Sequence, residues 1–516
     1  MVITPGNQKG GASVKFYYRT NLQDEVVLWE VNSANNLIKS GFYQPSTLYK
    51  NEVKDENYNI NIEFKNKQGQ VVLKRSYSSA SQKHDTYYVY DDFGLLRYVL
   101  SPMASYNMTG NSYTPETQIV KNYCYYYEYN NRKLMVKKQL PGAGYVTMEY
   151  DNRDRLVYSI DANQRAKGQK IKIEYDNLNR PIKRILISPN NGPETPGASS
   201  TLEDELEVTK YDDYTGVPSQ LAFANVSGMG QYFVKSNNVR GLVTYNKKKS
   251  LDDERLYLET AMYYDKYGRL IQTVSTNHLG GIDRISNDLD FSGKVLQTIT
   301  QHYSDLSQFI SLKEIFSYDH AGRLLNTKLY INNFTSPNGS NSSQITYDDL
   351  GRVSKKALLQ SGSVTYKQYQ KFQYNIRGWL THINNPDSLG SAYFAQKLLY
   401  ETGTNAQHNG NISAEEWRSP GLTQKYRYDY QYDGLNRIKN ASFTPASRYN
   451  MSWSYDLNGN IQNQKRSGKP QDQGFGTGSE LFIQVENLYY NYNGNQLLSV
   501  NNRLLHQLPN GFKDNA

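Results

Sequence analysis

The sequence contains a single cysteine, Cys124, which excludes an internal disulfide and any zinc site built on paired thiolates. Its neighbours Tyr123, Tyr125, Tyr126 and Tyr127 place it on a strand, as a small core residue rather than a nucleophile. Long apolar runs are missing too. No window approaches the ~18 residues of a membrane-spanning helix, and Met1–Gly6 has neither the basic start nor the apolar stretch of an export leader. His84, His278, His302, His320, His382, His408 and His506 never adopt His-x-x-x-His or His-Glu-x-x-His spacing, so a metal site is not expected. No Gly-x-Ser-x-Gly elbow stands out. The run Gly474-Phe475-Gly476-Thr477-Gly478 lacks the Lys-Ser/Thr of a phosphate loop and reads as a flexible loop. No cofactor is implied.

Apolar residues make up only 37% of the chain and mean hydropathy is -0.76, which is poor for one thick core and suits a thin sheet with much surface. The net charge of +9 comes from lysines and arginines spread along the whole length, Lys247-Lys248-Lys249 being the one obvious run. Nucleic-acid binding needs a basic stripe or patch and is not expected.

What the chain has in excess is tyrosine: 47, against 16 Phe and 4 Trp. Such rings bury apolar area while the hydroxyl keeps a polar partner. Many of them open a recurring phrase, Tyr-Asp with Gly three residues after the Asp. It occurs at Tyr90-Asp91 with Gly94, Tyr264-Asp265 with Gly268, Tyr318-Asp319 with Gly322, Tyr347-Asp348 with Gly351, and Tyr455-Asp456 with Gly459. Asn replaces Gly in Tyr175-Asp176 with Asn179 and in Tyr432-Asp433 with Asn436; Tyr150-Asp151 is a further copy. An arginine commonly follows, at Arg180, Arg269, Arg323, Arg352 and Arg437, and then an aliphatic residue. Worn forms open at Tyr129, Tyr211, Tyr374 and Tyr490, with Leu289-Asp290 and Gly293 between Tyr264 and Tyr318. The long gaps hold worn copies at Val239-Arg240-Gly241-Leu242 and His408-Asn409-Gly410-Asn411-Ile412. Such periodicity means a repeat architecture.

Residues before the Tyr alternate with period 2, as in Lys170-Ile171-Lys172-Ile173-Glu174-Tyr175, which predicts a strand with the Tyr in phase with its apolar face. Asp supports a local turn through its side chain, and Gly or Asn accepts the left-handed backbone at the turn's exit. Each unit is therefore a β-hairpin, and hairpins must pair edge to edge because one alone is marginal. Two registers stay open: Tyr opposite Arg with a cation–π contact, or Tyr sharing its face with the following aliphatic residue. No long helical period is present.

The first residues differ: Val14–Tyr18 and Val26–Val31 read as two strands around a polar turn, and Phe64–Val72 as a first, imperfect repeat. Residues 1–60 are expected to form a β-rich lead-in, 61–500 the array and 501–516 a tail, with polar loops at Ser188–Ser200, Ser336–Ser343 and Ser467–Ser479. Acid pairs occur at Asp91-Asp92, Asp212-Asp213, Asp252-Asp253 and Asp348-Asp349. Three of them fall in repeat turns, so conformation accounts for them better than glycosidase-type catalysis, and no enzyme is expected.

The Tyr-Asp-x-x-Gly-Arg-Leu array resembles the YD repeats of bacterial RHS proteins, related to the shells of animal teneurins. Leu140-Pro141-Gly142-Ala143-Gly144 before Tyr150, and the Trp29 region, are similar to the Bacteroidetes-type members. The resemblance implies an all-β chain of tandem hairpins forming a long antiparallel sheet that curves or spirals into an RHS-type shell. It implies a non-enzymatic role, containing or presenting a C-terminal, toxin-like polypeptide in a polymorphic-toxin or cell-surface system, secreted or surface-bound. The family's Asp-Pro-rich core segment has no counterpart here, because no Asp-Pro dipeptide occurs. The shell is therefore expected to be incomplete and its polypeptide partner separately encoded or missing; without a leader, retention of a fragment in the cytoplasm stays open. The alternative is an adhesion module, with rows such as Tyr426, Tyr428, Tyr430 and Tyr432 binding surface glycans.

Overall fold

The computed structural model describes residues 2–3, 13–189, 201–253, 256–304, 309–332, 340–361, 365–445, 448–468 and 483–504. The Gly474–Gly478 run, His506, most of the three polar loops and most of the tail lie outside them. Regular structure among the described residues is almost entirely antiparallel strand. The exceptions are short helices at Pro102–Asn107, Gln118–Tyr123 and Ala162–Ala166 and a 3-10 turn at Ser219–Leu221. None of these helices is long and apolar enough to cross a membrane. The chain divides into two compact units: Met1–Met148 with Tyr374–Gly390 and Phe394–Ala516, and Glu149–Gln373 with Ser391–Tyr393.

In the first unit Lys15–Thr20 pairs with Tyr49–Lys54, and pairing then follows chain order through Ile60–Lys65, Val71–Tyr77, Lys83–Tyr90, Leu96–Leu100, Cys124–Tyr129 and Met135–Leu140. A small separate sheet holds Val27–Val31, Leu37–Phe42 and Ser112–Tyr113. The expected hairpin between the first two strands is therefore wrong: they lie in different sheets. Buried Asn21 explains why. Its side chain accepts from the backbone N–H groups of Thr47 and Leu48 and donates to the Gln44 carbonyl, tying the first strand's exit to residues 44–48. Trp29, Leu37, Phe64, Leu73, Tyr98, Leu100, Cys124 and Tyr126 form the core between these layers. Burial raises the Cys124 thiol far above its ordinary value, in keeping with a packing role.

The C-terminal part of the same unit is a second run of hairpins, from Leu380–Ile383 through Ala395–Leu399, Ala414–Arg418, Tyr426–Tyr432, Ile438–Thr444, Met451–Tyr455, Ile461–Gly468 and Ile483–Asn493 to Gln496–Asn502. Its turns meet the N-terminal hairpins along a polar seam. Gly434 N–H donates to the Ser78 carbonyl (3.1 Å), and Met103 N–H to Asn458 Oδ1 (2.9 Å). His408 N–H donates to Asn57 Oδ1 (2.8 Å), and Asn122 Nδ2 to Asn493 Oδ1 (3.1 Å). His84, 3% exposed, is held between Ser78 Oγ and the Leu457 carbonyl, each at 2.8 Å. Gly434 is needed for closeness: a Cβ there would sit 2.3 Å from the Tyr77 carbonyl oxygen.

In the second unit strands pair in chain order from Leu156–Ile160 to Thr365–Tyr374. The segment between Asp212 and Val239 leaves the sheet and packs over it. Leu221 and Phe223 cover Tyr245, Ala261, Tyr263 and Val274, while Phe233 covers Ile271 and Leu289. Buried Gln272 secures the cover by accepting from Ala224 N–H and donating to the Ala224 carbonyl, both at 2.9 Å.

Candidate functional site

The repeat turn has one geometry throughout. In the copy at Asp265, Oδ1 accepts from the N–H groups of Tyr267 (2.8 Å) and Arg269 (3.0 Å), and Gly268 N–H donates to the Asp265 carbonyl (3.0 Å). The residue before the Arg is left-handed, with φ +74° at Gly268 and +62° at Asn436. Asp Oδ2 accepts from the arginine Nε at 2.6–2.7 Å in the turns of Asp151, Asp176, Asp265, Asp319, Asp348 and Asp433. Asp456 meets Asn460 instead (2.8 Å), and Asp91 meets Arg97 (3.3 Å).

The register settles the choice left open by the sequence. Tyr264 opposes Leu270, Tyr318 opposes Leu324, Tyr347 opposes Val353 and Tyr432 opposes Ile438. A bulge follows in the return strand: Tyr263 opposes Gln272, so Ile271 is the extra residue. Phase with the packed face varies. Tyr175 is in step with buried Ile171, whereas at Tyr90 and Tyr264 the buried residues are Val89 and Tyr263, one position earlier.

Most motif tyrosines, Tyr90 excepted, work sideways, on the preceding repeat. The hydroxyl donates to the carbonyl of the aliphatic residue after that repeat's turn: Tyr175 to Leu156 (2.8 Å), Tyr318 to Val295 (2.6 Å), Tyr347 to Leu324 (2.8 Å), Tyr455 to Ile438 (2.7 Å). In five of them the base of the preceding turn lies over the ring: Arg155 over Tyr175 (4.9 Å), Arg180 over Tyr211 (4.3 Å), Lys294 over Tyr318 (5.0 Å), Arg323 over Tyr347 (4.6 Å), Arg437 over Tyr455 (4.6 Å). The cation–π contact thus joins neighbouring repeats instead of crossing one hairpin.

Two gaps in the repeat close in an unexpected way. Arg240-Gly241-Leu242 is the exit of the turn that Tyr211 opens: Gly241 N–H donates to Asp212 Oδ1 (2.6 Å), and Tyr211 opposes Val243. Likewise Asn409–Ile412 ends a turn opened by Tyr400, whose hydroxyl donates to Leu380 (2.8 Å), while Tyr432 donates to Ile412 (2.9 Å). Near the end Tyr492, not Tyr490, holds the motif position, donating to the Ile461 carbonyl (2.8 Å) and opposing Leu497. The same side-chain-supported turn recurs at Asn130 and Asn375, in the worn copies of Tyr129 and Tyr374, at Asn66 in the imperfect first repeat, and at Asn32, Asp55 and Asn277, which the Tyr-Asp search does not catch. An Asn or Asp three residues before a left-handed position is the signal they share.

These carboxylates are spent on conformation. The N–H and side chain of the arginine hold Asp176 and Asp319 below the usual carboxyl range. At Asp151, Asp265 and Asp348 burial pushes upward, but the arginine's hydrogen bonds outweigh it. Among the described residues no group of three or more His, Cys, Asp or Glu side chains converges as a metal site would require. The Tyr426–Tyr432 row is packed on itself. Tyr428 stacks on Trp417 (5.5 Å) and Tyr430 (6.0 Å), and the Tyr428, Tyr430 and Tyr432 hydroxyls donate to Tyr449, Glu415 and Ile412.

No family model matches the sequence, and no curated protein does. Among solved structures the chain is similar to chains in the crystal structure of TcdB2-TccC3-Cdc42 (12% identity, TM-score 0.47) and in the Photorhabdus luminescens Tc holotoxin pore (12% identity, TM-score 0.48). A third is the crystal structure of TcdB2-TccC3-TEV (12% identity, TM-score 0.46). The alignments cover 92%, 91% and 91% of this chain and 21%, 20% and 21% of those, so it spans about a fifth of their length.

Proposed function

We propose that this chain is a non-enzymatic wall segment of an RHS-type shell, which contains or presents another polypeptide in a toxin or cell-surface system outside the cytoplasm. The observation that carries this reading is the seam of the first unit. Turns near the end of the chain bond to hairpins near its beginning, as Gly434 does to Ser78 and Asn458 to Met103. Those turns pack on the first hairpins instead of standing free in solvent, which supports a wall built of hairpins packed on one another. The turn chemistry supports a structural role, because Asp151, Asp176, Asp265, Asp319, Asp348 and Asp433 are each held by the arginine of their own turn.

The reading is tested by fusing an unstructured, protease-sensitive polypeptide after Ala516 and treating the purified protein with proteinase K. Containment gives a fused segment that is protected in buffer and digested once urea opens the wall. Equal digestion in both conditions sinks it.

A further inference from the structure

A cleft of about 830 Å³ lies in the first unit between the small sheet and the hairpins around Asn66 and Asp91. We propose that this cleft receives an arginine or lysine side chain presented by another polypeptide.

The case begins with what Tyr90 lacks. Tyr175, Tyr318, Tyr347 and Tyr455 each have a base from the preceding turn over the ring and a hydroxyl bonded to the preceding strand. The turn before Tyr90 is Asn66–Gln70, and the place of the arginine is taken by Gln70, a neutral side chain that donates to the Gly94 carbonyl (3.1 Å). Among the described residues no cation lies over the Tyr90 ring and its hydroxyl has no partner. The cleft opens at that spot, with Gln70 and Tyr90 both in its wall. Among the described residues Tyr264 and Tyr432 also have no cation over the ring, but their hydroxyls are bonded to Val243 and Ile412 and neither lines this cleft; Tyr90 has an unbonded hydroxyl and an open cleft beside it.

The rest of the lining suits a cation. Among the described residues no lysine, arginine or histidine lines the cleft, although the chain as a whole carries +9. Glu30 bonds to Ser40 and pairs with no base, Asp92 has no partner among the described residues, and only Asp91 is met by Arg97. Of the rings in the wall, Tyr88 already meets Lys74 Nζ (5.9 Å) and Phe93 meets Lys133 Nζ (5.5 Å), so it is the Tyr90 face that stands with the carboxylates as in cation–π recognition. Trp29, 7% exposed, also lines the cleft, and its indole N–H has no acceptor among the described residues. The volume exceeds what one free ammonium ion needs, and a peptide brings carbonyl acceptors as well as the charge. That favours a polypeptide-borne side chain over a small cation.

The test titrates the full chain with tri-arginine amide, with tri-glutamate and maltotriose as comparators, read by calorimetry and tryptophan fluorescence. Saturable tri-arginine binding is expected, weakened about fivefold or more in Asp92→Asn. It should be abolished in Gln70→Arg, which supplies the missing guanidinium from within and removes no carboxylate. Circular dichroism checks that both variants fold. Equal affinity in Gln70→Arg and wild type, no saturable tri-arginine binding, or preference for either comparator would overturn the proposal.

Discussion

The Arg323 guanidinium carbon lies 4.6 Å from the centre of the Tyr347 ring, so the arginine that closes one hairpin also covers the tyrosine that opens the next. The same arginine is bonded through Nε to Asp319 (2.7 Å), and Tyr347 donates to the Leu324 carbonyl (2.8 Å). A repeat is thus tied to its neighbour by side chains as well as by the ladder.

Tyr347→Phe should keep the ring contact and lose only the hydroxyl bond, at a cost of about 1 kcal/mol. Arg323→Gln should lose the ring contact and the Asp319 pair together. Native-state hydrogen exchange of amides between Phe309 and Ser361 is the measurement, since a repeat array need not unfold in one step. Faster exchange confined to this pair of hairpins is expected. No change in either variant would mean the lateral contacts contribute nothing.

Gly434→Ala places a methyl where the Tyr77 carbonyl oxygen sits, so the seam must open locally. Overpacking of this kind costs about 1–3 kcal/mol. The amides of Gly434 and Met103, which the seam holds, should lose protection, whereas Gly421→Ala, which strains only its own left-handed turn (φ +87°) and meets no neighbour, should leave them unchanged.

Acid should loosen the turns. A carboxyl held below its ordinary value of about 3.9 contributes its full stabilisation above that value and loses it as pH falls through the lowered one. Asp212, drawn down to about 2 chiefly by Arg180, and Asp176 and Asp319, held low first by the N–H groups of Arg180 and Arg323, set this window. Near-ultraviolet circular dichroism should stay flat from pH 7 to about pH 4.5 and change below about pH 4. A transition already complete at pH 5 would show that other groups govern it.

Alkali offers the opposite reading. Burial pushes Tyr87 and Tyr214 up to about 12 and Tyr98, Tyr126 and Tyr430 further. Their neutral forms favour the fold, so this stability is intact below about pH 10 and lost as pH rises through the raised values. A spectrophotometric titration should show one set of tyrosines ionising near pH 10 and another only with unfolding. A single transition near pH 10 would contradict the burial described.

Strand alternation and the Asp-x-x-Gly turn were legible in the sequence because both are local: a period of 2, and an Asx side chain bonding two and four residues ahead. The partner of each motif arginine was not legible. It stands on the next repeat, and only lateral strand order brings the two together. Tyr400 escaped notice because Glu401 replaces the Asp, and Tyr492 because its loop shortens to Gly494-Asn495. Arg240-Gly241-Leu242 looks in sequence like a separate copy, since nothing nearby shows that it completes the turn of Asp212. The first two strands seemed to form a hairpin because the bonds of Asn21 to residues 44–48 are not local.

The turn between Asp212 and Gly241 has one further consequence. Asp212 Oδ1 accepts the Gly241 N–H as it would that of an adjacent residue, and both flanking strands keep their neighbours. The chain can therefore leave and re-enter at this corner without disturbing either strand. Each such corner is in effect a splice point, where evolution or an engineer can insert a guest segment while the sheet stays in register.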